Sequence, residues 1–137
     1  MIAGVSLSNA YFRLHEGTIK SEQVVEFLKA LVKQIGRRLL IVWDGLKAHR
    51  SRLVRAYVDA LDGKIALAFL PPYAPDLNPV EYLWAWLKRH ALANYCPDSI
   101  AELSITARNK LKSAQRRTTL IAAFWKQADL FCCHENT

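Results

Sequence analysis

Two carboxylates stand out by their surroundings. Asp44 closes the apolar run "LLIVW" (39–43) and leads into an acid-free stretch bearing Lys47, Arg50, Arg52 and Arg55. Glu81 follows "FLPPYAPDLNPV" (69–80), which holds four of the chain's five prolines. Hard divalent cations take carboxylate oxygens, and such ligands must be held almost without play. A strand end and a proline-stiffened loop can both do that. Each acid also has a plain structural reading. Asp-Gly after a strand is a common turn. Asn78-Pro79-Val80-Glu81 has N-cap and N3 spacing, so Glu81 could reach back to the Asn78 N–H, and its charge suits a helix N-terminus. Direction favours function for Glu81. At helical spacing it shares a face with Ala85, Lys88 and Arg89, opposite Val80, Leu83, Trp84 and Leu87.

The elements that must position these acids are legible in the apolar periodicity. Residues 2–8 and 10–15 suggest two short strands around a Ser8-Asn9 turn. Val24, Val25, Leu28, Leu31, Val32 and Ile35 recur at helical spacing after Ser21, and Gly36 stands at a C-cap position. The run 39–43 has the continuous apolar character of a strand covered on both faces. Ser51 can cap a helix with Leu53, Val54, Tyr57, Val58 and Leu61 as its stripe, closed by Gly63. "IALAFL" (65–70) is a further buried strand, and Asn78-Pro79 opens the third helix. Ser99 and Glu102 form a capping box for a fourth, and a last helical stretch lies near 119–131. This order predicts an α/β sheet flanked by helices, with sites at the carboxyl ends of its strands. Asp44 and the proline loop occupy two such ends.

The 137 residues have one domain's length, and 52% hydrophobic content allows a real core. Nineteen Lys and Arg against twelve Asp and Glu give a net charge of +7, which suits a polyanionic partner. A second acid-free cluster comprises Arg108, Lys110, Lys112, Arg116 and Arg117. The three cysteines make no disulfide framework and point to a reducing compartment. Cys96, Cys132, Cys133 and His134 could in principle bind zinc, but no CxxC spacing supports it. There is neither a signal peptide nor an apolar run of roughly 20 residues, so the sequence predicts a cytoplasmic protein without a membrane partner.

"VWDGLKAHRS" (42–51) and "FLPPYAPDLNPVEYLWAWLK" (69–88) together resemble the second and third catalytic blocks of DDE transposases, in the mariner superfamily and its bacterial insertion-sequence relatives. "EGTIKSEQVVEFLKAL" (16–31) resembles the segment preceding those blocks. The likeness is strongest over residues 1–90. It implies a ribonuclease H-like fold over 1–137 and a function in metal-dependent DNA cleavage and strand transfer. It further implies Mg²⁺ or Mn²⁺ as cofactor and transposon-end DNA as partner, with homo-oligomer formation possible. By matching position, Asp44 would be the second metal-binding acid and Glu81 the third. Lys47, His49, Arg50, Arg52, Lys88 and Arg89 are the candidate DNA contacts, with His49 equally able to orient the loop.

Two features depart from the family pattern. Gly45 stands where the family often has Asn. No aspartate precedes Asp44, and Glu16, Glu22 and Glu26 fall after the hairpin or on a helix. The expectation is therefore a domain without its first strand and first acid, completed by an upstream-encoded half. The alternative is a non-catalytic DNA-binding remnant of a transposase. In either case Asp44 and Glu81 are expected to converge within about 8 Å, the reach of a shared metal site.

Overall fold

The computed structural model describes residues 1–93 and 95–129, so Cys132, Cys133 and His134 of the zinc candidate lie outside the described residues. Two strands, β1 (Ile2–Val5) and β2 (Ala10–Arg13), precede helix α1 (Ser21–Ile35). Then come β3 (Leu39–Trp43), α2 (Arg52–Ala60), β4 (Ile65–Phe69), α3 (Pro79–Leu87), α4 (Ile100–Gln115) and α5 (Thr118–Gln127). The order is the one expected. The chain forms two compact units, one of Met1–Ile2 and His15–Ala74, the other of Ala3–Leu14 and the chain from Pro75 onward. Among the described residues no helix is long and apolar enough to cross a membrane.

In the first unit α1 buries Val24, Val25, Phe27, Leu28 and Leu31 and ends on Gly36, whose φ of 64° is left-handed. Glycine meets that conformation without Cβ strain. Ser51 caps α2 by accepting from the Val54 N–H at 3.3 Å. The helix buries Val54 and Val58, whereas Leu53 is exposed and leaves the expected stripe. At 3.6 residues per turn it falls about 120° from the centre of the buried arc.

Strands β3 and β4 pair in parallel, with Leu39 opposite Ile65 and Trp43 opposite Phe69. Helices α1 and α2 pack against each other. Residues alternate across the pair. Ile65 is buried, while Leu40 and Val42, on the opposite face, are 69% and 45% exposed. The apolar run predicts cover on both faces of β3, but Leu40 and Val42 face solvent.

In the second unit the β1–β2 hairpin turns earlier than expected. The Ser6 N–H donates to the Asn9 carbonyl at 2.8 Å, and the Asn9 N–H donates to Ser6 Oγ at 3.0 Å. Such local bonds draw backbone groups out of the ladder and shorten both strands. The hairpin is fastened to distant helices: Trp125 Nε1 donates to the Ser6 carbonyl and Gln115 Nε2 to that of Ala10, each at 2.7 Å. Ala10, Leu83, Leu87, Leu111, Ile121 and Phe124 share one core with Ala107 and Ala114.

Half of the expected box at the start of α4 forms. Ser99 Oγ accepts from the Glu102 N–H, but the Glu102 carboxylate accepts instead from the Tyr95 hydroxyl at 2.6 Å and the Asp98 N–H at 2.9 Å. Those bonds, the Tyr95 hydroxyl first, hold the Glu102 carboxyl below the usual carboxylate range. A depressed folded-state value gives stability that is present above the ordinary carboxylate value and lost as pH falls through the lowered one. Melting temperatures between pH 6 and pH 3 should therefore fall less steeply in Glu102→Gln than in the native chain. Parallel curves would contradict this.

Candidate active site

Asp44 sits just past β3, where the chain turns sharply. One of its oxygens, Oδ1, accepts from the Leu46 N–H at 3.1 Å and lies 2.8 Å from His49 Nδ1. That His49 nitrogen is also 3.2 Å from the Asp44 carbonyl oxygen. The imidazole stacks on Trp43, with ring centroids 4.3 Å apart and planes 4° from parallel. His49 is thus fixed from two directions, and through it Asp44 Oδ1. The Asp44 side chain stays 42% exposed while that of His49 is only 15% exposed. Oδ2 has no partner among the described residues.

Arg50 lies over the Phe69 ring, its guanidinium carbon 5.1 Å from the centroid, a cation–π placement. The same guanidinium fills the space beside Gly45, where a Cβ would stand 2.7 Å from its terminal nitrogen. This gives the departure at Gly45 a physical reason, since any side chain there displaces Arg50. Lys47, Arg50 and Arg52 are exposed. Arg52 opens α2, whose first turn has no acidic residue, although the positive end of a helix favours one.

Glu81 lies in the second unit, and its alternative role as a cap is not taken up. The Asn78 N–H donates to the Pro75 carbonyl at 3.0 Å instead. Asn78 Oδ1 caps α3 by accepting from the Val80 N–H at 3.2 Å. The Glu81 carboxylate is exposed, and no described residue donates to it. Residues 75–77 form a 3₁₀ turn, and the Tyr82 hydroxyl pins it by donating to the Asp76 carbonyl at 3.0 Å. A π-helical turn, Lys88–Leu92, continues α3, and Ala85, Lys88 and Arg89 are exposed with Glu81, as the helical spacing predicts. Such turns recur at functional sites.

Two participants carry no motif signal of their own. Trp43 and Phe69 end apolar strand runs, yet they serve as platforms for His49 and Arg50. Tyr73 is fully exposed at φ 57°, a left-handed conformation uncommon outside glycine. The aromatic residue immediately before Asp44 was the available signal for the first of these.

Described residues 1–93 cover both acids, and the DDE superfamily endonuclease model matches residues 1–104. The chain belongs to the DDE superfamily endonucleases. No curated protein matches it in sequence. Among solved structures it is similar to the Mos1 transposase in its paired-end complex with the left transposon end, at 22% identity and a TM-score of 0.67. That match covers 90% of this chain and 40% of the other. It is also similar to the catalytic domain of Mos1 mariner transposase, at 22% identity and a TM-score of 0.60, over 89% and 63% of the two chains. A third neighbour is the Mos1 catalytic domain with raltegravir and Mn, at 21% identity and 0.62, over 89% and 69%. The chain therefore spans less than half of the transposase in the paired-end complex. The DDE family member described here has the expected ribonuclease H-like, mixed α/β fold.

Proposed function

We propose that this chain is part of a DDE transposase catalytic domain, comprising both compact units, whose reaction is divalent-metal-dependent cleavage and joining of DNA strands. One observation supports it above the others. Of the two acids matched to the family blocks, Glu81 is exposed and the Asp44 side chain is 42% exposed, and each keeps a carboxylate oxygen that no described residue engages. A purely structural cap would have engaged Glu81, whereas Asp44 closes its turn with one oxygen and leaves the other open. Hard oxygen donors of this kind fit Mg²⁺ or Mn²⁺. Asp44 and Glu81 would hold the metal, which when bound polarises phosphoryl oxygens and activates the attacking oxygen. Solved Mos1 catalytic domains with Mn and with Mg support that choice.

The chain's own side chains do the rest. His49, stacked on Trp43, holds Asp44 Oδ1 and leaves Oδ2 open to a ligand. Lys47, Arg50 and Arg52 bind the phosphates flanking the reacting bond. Lys88 and Arg89 do the same beside Glu81. Transposon-end DNA is the proposed partner, as in the Mos1 paired-end complex. In this reading an upstream-encoded segment supplies the third carboxylate, since Glu22 and Glu26 lie on α1. The same composition supports the second reading, a DNA-binding remnant that no longer cuts.

Plasmid nicking in Mg²⁺ or Mn²⁺ separates the two readings once the third carboxylate is supplied. DNA binding itself is tested by charge reversal. Arg50→Glu with Arg52→Glu should weaken duplex binding on any sequence and flatten its salt dependence by about 0.9 in log–log slope per lost phosphate contact. Sequence-selective binding with a shallow slope in the native chain would contradict this reading.

A further inference from the structure

A second charged surface lies outside the proposed site. From Leu103 to Ala128 the chain has no acidic residue, yet it carries Arg108, Lys110, Lys112, Arg116, Arg117 and Lys126. All six are exposed, and none has an ion-pair partner among the described residues. Helix α4 turns Ala107, Leu111 and Ala114 into the core. Arg108, Lys112 and Arg116 follow one another at four-residue steps on its outer side, within an arc of about 80°. Asn109 and Ser113, also exposed, stand beside them.

Like charges at this spacing repel one another. The helix dipole favours cations in the last turn, which accounts for Lys112 and Arg116 but not for Arg108 and Lys110 further in. Nor does it account for the absence of any acid among them. The acid at the other end of the helix, Glu102, is engaged by Tyr95 and Asp98. A polyanion relieves the repulsion. From Arg108 to Arg116 the row runs about 12 Å, eight residues at 1.5 Å each. That is close to the width of the DNA major groove, about 12 Å, so the row can reach phosphates on either side of it. Surfaces for single strands interleave aromatic rings with cations, and α4 contains no aromatic residue. Asn and Ser side chains are ordinary phosphate partners.

We propose that the Arg108–Lys112–Arg116 row, flanked by Lys110 and Arg117, is a second contact for duplex DNA, gripping its backbone without regard to sequence. The proposal rests on the reading of the chain as a DNA-processing domain. It places a DNA contact on α4, in addition to those beside Asp44 and Glu81.

The test is fluorescence anisotropy of a labelled duplex with the 137-residue chain across a salt series. Three forms are compared: native, Arg108→Gln/Lys112→Gln/Arg116→Gln, and Arg50→Glu/Arg52→Glu. The triple variant should bind at least tenfold more weakly at low salt, equally on unrelated sequences. Its slope should drop by about 2.7, at about 0.9 per phosphate contact. Native affinity and slope in the triple variant, with loss in the Arg50/Arg52 variant, would overturn the α4 contact and leave the DNA reading standing. No duplex binding by the native chain would remove both. Loss confined to single-stranded DNA or RNA would also overturn it. A photo-crosslinking residue at Asn109 gives a check independent of the variants' folding. It should capture the duplex, and capture of none would contradict the proposal.

Discussion

Alanine at Glu81 is expected to lower Mg²⁺- or Mn²⁺-dependent plasmid nicking by about a thousandfold or more, measured in a protein whose upstream segment supplies a third carboxylate. The same loss is expected for Asp44→Ala. A metal ligand contributes several kcal/mol of transition-state stabilisation, and each 1.36 kcal/mol is about tenfold in rate. Glu81 is the cleaner test. Its carboxylate is exposed and takes no bond from a described residue, so its removal costs α3 only a helix-end charge, about 0.3–1 kcal/mol. Glu81→Gln keeps the shape and should be as inactive as alanine. Asp44→Ala also frees His49 and the Leu46 N–H, so its loss mixes chemistry with loop order. Nicking that survives Glu81→Gln would remove Glu81 from the metal site.

The purified 137-residue chain without that segment is expected to self-associate and to show no nicking above the Glu81→Gln background. Both effects have causes in the sequence and fold. Two carboxylates hold a divalent ion weakly and do not fix two ions in place. The β3–β4 pair leaves Leu40 and Val42 exposed on one face, and a two-stranded sheet has two open edges. Such edges and apolar faces are open to other copies. Analytical ultracentrifugation should show association that Leu40→Lys/Val42→Lys reduces. A monodisperse monomer would contradict the first expectation, and robust nicking lost on Glu81→Gln would show that the first ligand has been misplaced.

The element order was legible because its signals are local. Gly36, Ser51, Asn78 and Ser99 stand where the caps form, and the apolar run 39–43 coincides with β3. The pairing of the hairpin with α4 and α5 was not legible. It depends on bonds from Gln115 and Trp125 to backbone carbonyls more than 100 residues away in sequence. At the candidate site the acids and cations were visible as residue types in a motif. The role of His49 was open between DNA contact and loop support, and its stacking on Trp43 with a bond to Asp44 supports the second. The Arg50–Phe69 contact depends on β3–β4 register and on the bare backbone of Gly45, neither of which a motif carries.

In the proposed site Asp44 and Glu81 are both ligands of a divalent metal. Crystals of the protein carrying the third carboxylate, soaked in Mn²⁺ and measured at its absorption edge, test this directly. An anomalous peak is expected bonded to a carboxylate oxygen of both Asp44 and Glu81, at about 2.0–2.3 Å, that vanishes in Glu81→Gln. Anomalous peaks that involve neither acid, or only one of them, would contradict it.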